Sequence, residues 1–152
     1  MSKLTASVFS AAIVVLVTSP SLAARDDQWV EKREWGDRSA HPSAIFLSWD
    51  YSKVLFRATC DRQRRELVLV YFGDGETTLT SRDSLVIRGL KPIPLRTQLV
   101  DGRLEGRVGI TEDLLRSLTT SRELEIEGPN TMGEPWHVGR AMALRRLTSS
   151  CG

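Results

Sequence analysis

The chain contains two cysteines, Cys60 and Cys151, and their positions restrict its fold more than any other feature. In an exported protein of this size, an even pair favours a disulfide, which would tie the middle of the chain to its last turn. Closing a loop of about 90 residues stabilises a fold by about 4 to 5 kcal/mol in the chain-entropy model. The alternatives are a reactive thiol, which would need a free thiolate, and a zinc site with His41 and His137 as further ligands, but the closely spaced ligand pairs of zinc sites are missing. The sequence therefore predicts a structural disulfide.

The first residues are typical of a cleaved signal peptide. Lys3 gives a positive start, residues 8–17 are largely apolar, and Ala23 ends a short motif of small residues. A membrane span needs about 20 apolar residues, which is twice the length of this run. We therefore expect residues 1–23 to be removed, which leaves no stable membrane anchor. The protein is expected to be periplasmic or secreted.

Length and charge limit the number of domains and the class of partner. The remaining residues, about 129, suit one domain with a hydrophobic core. The whole chain has 21 Lys and Arg against 19 Asp and Glu, a net charge of +2, which provides no strong field to attract nucleic acid. We therefore expect no nucleic-acid partner. Residues 24–40 are charged and predict a polar N-terminal strap, whereas residues 41–152 are expected to form a single β-rich domain.

The domain begins with short runs that are typical of β-strands separated by turns. Apolar and polar residues alternate over residues 54–60, as in a strand with one buried face. The glycines and aspartates at residues 73–75 and 101–102 are strong turn signals. Pro92 and Pro94 interrupt pairing, as at an edge or a crossover. Strands are predicted over residues 44–49, 54–60, 66–72, 77–80, 85–87, 95–100 and 104–110.

Helical patterns appear towards the C-terminus. Thr111 is a favourable N-cap and is followed by acidic residues, so it predicts a short helix that ends before Ser121. Strands are expected over residues 123–127 and 136–138, followed by a second helix over residues 141–147. Together these elements predict a mainly β fold, an antiparallel β-sandwich or barrel-like domain with two short helices.

Two family resemblances rest on these patterns. A strand–cysteine–turn–strand unit at residues 54–72, followed by helix–strand–loop–helix up to Cys151, resembles small periplasmic β-sandwich proteins. The similar families are the VasI-type proteins associated with type VI secretion and the invasion-associated locus B proteins. Cys60 and a strand that ends in Tyr71 and Phe72 also resemble the C-type lysozyme inhibitors. Their Ser-Gly-rich inhibitory segment has no counterpart here, so this resemblance implies no inhibitory residues.

Arginines form the densest charged cluster of the chain. Arg62, Arg64 and Arg65 lie together in the predicted turn between the strands at residues 54–60 and 66–72. As a binding feature they could contact a carboxylate-rich partner or an anionic envelope polymer. As a structural feature they form a solvated turn that discourages aggregation of a sheet edge.

The four tryptophans divide into two pairs. Trp29 and Trp35 lie in the polar strap and are candidates for partner binding. Trp49 and Trp136 lie in β-like runs and are expected to fill the core.

Catalytic and metal-binding patterns are weak. Residues 73–76 lack the spaced ligands of a calcium loop and are explained as a β-turn. His41 and His137 have no neighbouring serine or cysteine in a recognisable motif. Neither a cofactor nor a metal is expected, and no catalytic residue is assigned.

Three functions remain open. The first is an exported, non-catalytic envelope accessory or binding protein, linked to secretion or host interaction, with another envelope or secreted protein as partner. The second is an inhibitor of a secreted hydrolase such as lysozyme, which would need a protruding loop such as residues 61–65. The third is a small hydrolase, which would need two carboxylates or a His–acid pair in a groove.

Overall fold

The structure is a computed structural model that describes residues 29–31, 43–48, 52–121, 124–130, 133–139 and 142–151. Its elements follow in chain order: β1 (Trp29–Glu31), β2 (Ser43–Leu47), β3 (Val54–Asp61), β4 (Glu66–Tyr71), β5 (Val86–Arg88), β6 (Pro92–Pro94), β7 (Arg96–Val100), β8 (Arg103–Gly109), α1 (Glu112–Thr120), β9 (Leu124–Glu127), β10 (Trp136–Gly139) and α2 (Met142–Ser149).

The strands form two antiparallel sheets that share one core. One sheet has six strands in the order β1-β2-β3-β4-β8-β7, and the other has four in the order β10-β9-β5-β6. Side chains of both sheets and both helices belong to a single buried cluster. Within the described residues neither sheet closes on itself, so the fold is a β-sandwich-like domain with two short helices rather than a barrel. The predicted fold class is confirmed in this form.

Local sequence accounts for the two hairpins of the larger sheet. In β3, Phe56 and Ala58 are buried, as the alternation predicted. The turn at residues 62–65 leads back into β4. The β7–β8 turn consists of Asp101 and Gly102, whose φ angles of 49° and 75° match a type I′ turn. These hairpins place β3 beside β4 and β7 beside β8, and the pairing of β4 with β8 joins them into one sheet.

Aromatic side chains fill the space between the sheets. Phe56 stacks on Tyr71 with ring centroids 4.9 Å apart, and Trp136 of the smaller sheet packs edge-on against Phe56 at 5.0 Å. Phe46 extends this cluster towards Trp29, at 5.3 Å. Such contacts contribute beyond the area they bury, and they fix how the two sheets face each other.

The chain crosses from the smaller sheet to the larger one at a single residue, Leu95. Its N–H donates to the carbonyl of Leu85 at 2.9 Å, and the hydroxyl of Thr97 accepts a hydrogen bond from the Leu85 N–H at 3.1 Å. The Leu95 side chain packs closely over Gly106, where a Cβ atom would lie 2.7 Å from its Cδ2. Any larger residue at position 106 would therefore push against Leu95 at this crossover.

The two helices close the C-terminal part of the core. The Thr111 hydroxyl caps α1 by accepting from the Leu114 N–H, as predicted. The α2 helix packs against β1, β2, β3 and α1. The predicted disulfide is found between Cys60, near the end of β3, and Cys151, just after α2, with Cα atoms 5.8 Å apart.

Two expectations need correction. No strand forms over residues 77–80, because Asp74 and Asp83 accept hydrogen bonds from nearby backbone N–H groups and stabilise irregular turns instead. Trp29 is 6% exposed and packs on Phe46, so it belongs to the core and not to a partner-binding surface. It was misplaced because the polar residues around it hid a strand, β1, which pairs with β2.

Several predictions concern parts of the chain outside the described residues, namely the signal peptide and Trp35, His41 and Trp49. Trp136 is buried, as expected. Among the described residues, no helix is long and apolar enough to cross a membrane.

Candidate binding surface

The predicted arginine cluster lies at one end of the larger sheet. Arg62, Arg64 and Arg65 occupy the β3–β4 turn and are all exposed. The turn is held from both sides. The Asp61 carboxylate accepts from the Arg64 N–H at 3.1 Å, and the Arg65 carbonyl accepts from the Ile110 N–H at 2.9 Å. The three arginines therefore project from a fixed backbone.

Strand pairing brings further arginines next to this turn. Arg96 of β7 lies opposite Arg107 of β8, and Gln98 lies opposite Glu105. Arg64, Arg96 and Arg107 line an open groove of about 350 Å³ together with Thr97 and Gln98. We call this feature the arginine groove. It combines residues from the β3–β4 turn, from β8 and from the outermost strand, β7.

Three carboxylates surround Arg107, which lines the groove, and hold it in place. Its Nε donates to Glu105 at 2.7 Å, and its Nη1 lies 3.4 Å from Asp61 and 3.7 Å from Glu66. The hydrogen bond that Arg107 donates to Glu105, with the nearby charges of Glu66 and Asp61, raises the pKa of Arg107 above its ordinary value. Arg107 is therefore a fixed, permanently charged part of the groove wall.

Arg64 and Arg96 are different because most of each side chain is in water. Arg96 donates from Nη2 to the buried Glu66, yet its side chain is 73% exposed. Arg64 is 69% exposed, and its Nε lies 4.0 Å from Asp61. Both guanidinium groups keep unused N–H donors that can bind a carboxylate bidentately. They are the residues of the groove that are best placed to contact a ligand.

A second arginine feature lies on the same sheet, around Phe72. Arg57 lies 5.4 Å from the centre of the Phe72 ring, and Arg103 lies 4.9 Å from it. These cation–π contacts orient both guanidinium groups without neutralising their charge. The arginine-rich surface therefore continues from the groove along β3 and β8.

Charge counting shows how strongly arginine is concentrated in this region. Residues 54–72 and 96–109, which contain the two hairpins, carry seven arginines against four carboxylates. Their net charge is therefore +3, although the whole chain has a net charge of +2. The excess positive charge of the protein thus resides in these hairpins.

His137, the described one of the two histidines considered for catalysis, lies elsewhere. His137 Nδ1 lies 3.1 Å from Glu125 Oε1 on the outer face of the smaller sheet, and the histidine side chain is 56% exposed. Glu125 of β9 lies opposite Arg88 of the neighbouring strand β5. The Arg88 Nε donates to Glu127 at 2.5 Å. These ion pairs cover an open strand surface and do not line the arginine groove. Within the described ranges, no group of three or more His, Cys, Asp or Glu side chains is arranged to hold a metal ion.

Sequence reasoning found the turn arginines but missed Arg96, Arg107 and the Phe72 stack. The sequence did contain a signal for the groove. Arg96 and Gln98 are two positions apart before the Asp101-Gly102 turn, and Glu105 and Arg107 are two positions apart after it. Two-residue periodicity around a hairpin turn would have placed all four side chains on one face.

Comparison with known proteins gives no relative. No protein-family model matches the chain, no curated protein is similar to it, and no solved structure matches it.

Proposed function

We propose that this is an exported, non-catalytic binding protein of the cell envelope, and that its arginine groove binds a carboxylate-rich segment of another envelope or secreted protein. The observation that carries the proposal is that the exposed side chains of Arg64 and Arg96 line the same open groove. Arginine is suited to this role because its planar N–H donors match the geometry of a carboxylate.

The groove suits an extended chain better than an enclosed small molecule. Its volume of about 350 Å³ is at the lower end of the range for small-molecule pockets, and it is open to solvent. In an extended polypeptide, successive side-chain carboxylates are spaced along the chain, so each can contact a different arginine of an open surface. The exposed Arg62 and Arg65 extend the same charge beyond the groove.

Ion pairs beside the groove reduce the cost of binding. The Glu66 carboxylate binds Arg96 and Asp61 lies near Arg64, so fewer side-chain rotamers must be fixed when a ligand arrives. The same carboxylates lower the repulsion between the arginines in the free protein. The surface is therefore arranged before the partner binds.

The disulfide supports the export part of the proposal. Cytosolic proteins seldom keep a structural disulfide, whereas exported proteins commonly do. The Cys60–Cys151 bond, together with the signal peptide expected at residues 1–23, fits function in the periplasm or outside the cell. The pattern resemblance to periplasmic β-sandwich proteins points to the same compartment.

Binding of poly-L-glutamate, measured by fluorescence anisotropy at low and physiological salt, tests the proposal. The variant Arg64→Gln/Arg96→Gln is expected to weaken binding about fivefold or more, since exposed ion pairs contribute up to about 1 kcal/mol each. The control variant Arg82→Gln/Arg145→Gln removes the same charge from exposed sites outside the groove. Equal weakening in both variants would show that net charge alone attracts the polymer and would refute the proposal.

Inhibition of a secreted hydrolase is a second candidate because the β3–β4 turn presents Arg62 and Arg65 without an ion pair among the described residues. An assay of lysozyme activity with the oxidised protein tests it. Stoichiometric inhibition that is lost in Arg62→Gln/Arg65→Gln would favour this function over the first. An unchanged lysozyme rate would exclude lysozyme as the target.

A further inference from the structure

The two sheets end in four edge strands, and these differ in how they are protected. A protected edge carries prolines, irregular pairing or very few residues. The strand β6 contains Pro92 and Pro94, β1 has three residues, and β10 contains a register shift between His137 and Gly139. The strand β7 has five residues, no proline and regular pairing with β8. Of the edges in the described part, β7 is the longest regular one.

Hairpin geometry decides which backbone groups of β7 are free. In a type I′ turn at Asp101-Gly102, the Val100 carbonyl accepts from the Arg103 N–H, so these two residues form a hydrogen-bonded pair. Such pairs alternate along an antiparallel ladder. The N–H and C=O groups of Thr97 and Leu99 therefore point away from β8, and β7 has no other neighbour among the described residues.

The side chains beside this edge divide into two rows. Arg96 and Gln98 lie on the face that carries the arginine groove. Leu99 lies on the opposite face and is 38% exposed. A strand that paired with β7 would place alternate residues beside the arginines and the others beside Leu99, because neighbouring strands lie about 4.8 Å apart.

We propose that β7 binds its partner by strand addition, and that the partner segment alternates acidic and apolar residues. The inference rests on the proposed function and deepens it, since it states the conformation and the residue pattern of the carboxylate-rich segment. Backbone hydrogen bonds to Thr97 and Leu99 supply affinity, while the acidic row lies beside Arg96, at the rim of the arginine groove, and the apolar row covers Leu99.

Charge complementarity favours an acidic segment over a second copy of this chain. Pairing of two β7 strands would bring together two edges that each contain Arg96 and no carboxylate. An acidic strand instead meets the exposed arginines of the groove with opposite charge.

The probe is a seven-residue peptide of alternating glutamate and valine, blocked at both ends. Two further versions carry N-methyl groups either on every valine nitrogen or on every glutamate nitrogen. In an added strand the N–H groups of one set point towards β7 and those of the other set point to solvent. One methylated version should therefore lose binding at least tenfold while the other binds as the unmodified peptide does. Equal affinity of all three peptides would overturn the inference.

Amide hydrogen exchange of the complete oxidised protein gives a second readout that needs no variant. Addition of the unmodified peptide should slow exchange of the Thr97 and Leu99 amides, whereas the Gln98 amide is already bonded to β8 and should change little. Unchanged exchange at Thr97 and Leu99 would refute strand addition. Slow exchange of the Thr97 and Leu99 amides without peptide, in a dimer of this protein, would also refute strand addition by an acidic segment.

The poly-L-glutamate experiment keeps this inference separate from the proposed function. If polymer binding depends on Arg64 and Arg96 but the methylated peptides all bind equally, the carboxylate site stands and strand addition fails. If polymer binding is insensitive to these arginines, the proposed function fails, whatever the peptides show.

Discussion

Removal of the disulfide should destabilise the domain by about 4.6 kcal/mol. Cys60 and Cys151 are 91 residues apart in sequence, and the chain-entropy model gives about 15 cal/mol/K for a loop of this length. A typical domain has a total stability of about 5 to 15 kcal/mol, so this loss is enough to populate the unfolded state of a marginal protein. The bond joins the end of β3 to α2, so its loss also frees the last element of the core.

Urea unfolding at pH 7 measures this effect in three samples: the oxidised protein, the reduced protein and the variant Cys60→Ala/Cys151→Ala. The reduced protein keeps both sulfur atoms, so its difference from the oxidised protein isolates the crosslink. The variant adds the loss of packing around Cys151, which is buried. Thiol titration of the denatured oxidised protein should find no free thiol. A difference of less than about 1 kcal/mol between oxidised and reduced protein would refute the loop-entropy reasoning.

Two core positions give further predictions. The Tyr71 hydroxyl is buried beside Asp74 and makes no hydrogen bond of good geometry among the described residues, so Tyr71→Phe should leave stability at pH 7 unchanged or raise it by up to about 1 kcal/mol. Burial, with the charge of Asp74, raises the pKa of Tyr71. The unfolded chain ionises near pH 10, so the wild-type protein should lose stability above about pH 10 and the variant should lose less. Urea midpoints from pH 8 to 11 check this, and parallel curves for both proteins would contradict it. Separately, Gly106→Ala should cost about 1 to 3 kcal/mol, because the new methyl group meets Leu95. Gly109→Ala, whose Cβ meets nothing within 4 Å, is the control, and equal melting temperatures of the two variants would contradict the packing argument.

Local patterns predicted most elements of the fold. The alternation that ends at Cys60, the Asp101-Gly102 turn and the Thr111 cap each act within a few residues, so each was visible in the sequence. Trp29 was misplaced because its strand has three described residues within a polar segment. The false strand at residues 77–80 shows the opposite case, in which side-chain hydrogen bonds replaced a ladder that the residue types favoured.

The arginine groove could not be predicted as a whole because long-range pairing assembles it. Arg64 comes near Arg96 and Arg107 because β4 pairs with β8, and no local spacing announces that pairing. Glu66 illustrates the same limit. Its role as a buried anchor for Arg96 depends on a contact between residues 30 positions apart.

The crossover at Leu95 also determines how the domain responds to mechanical force. A partner attached to β7 would pull on a strand whose first neighbour in sequence is anchored to Leu85, next to the other sheet. Tension along β7 would therefore pass through Leu95 into both sheets at once, instead of peeling one hairpin away from the domain. We therefore expect a pull on β7 to be resisted by both sheets together.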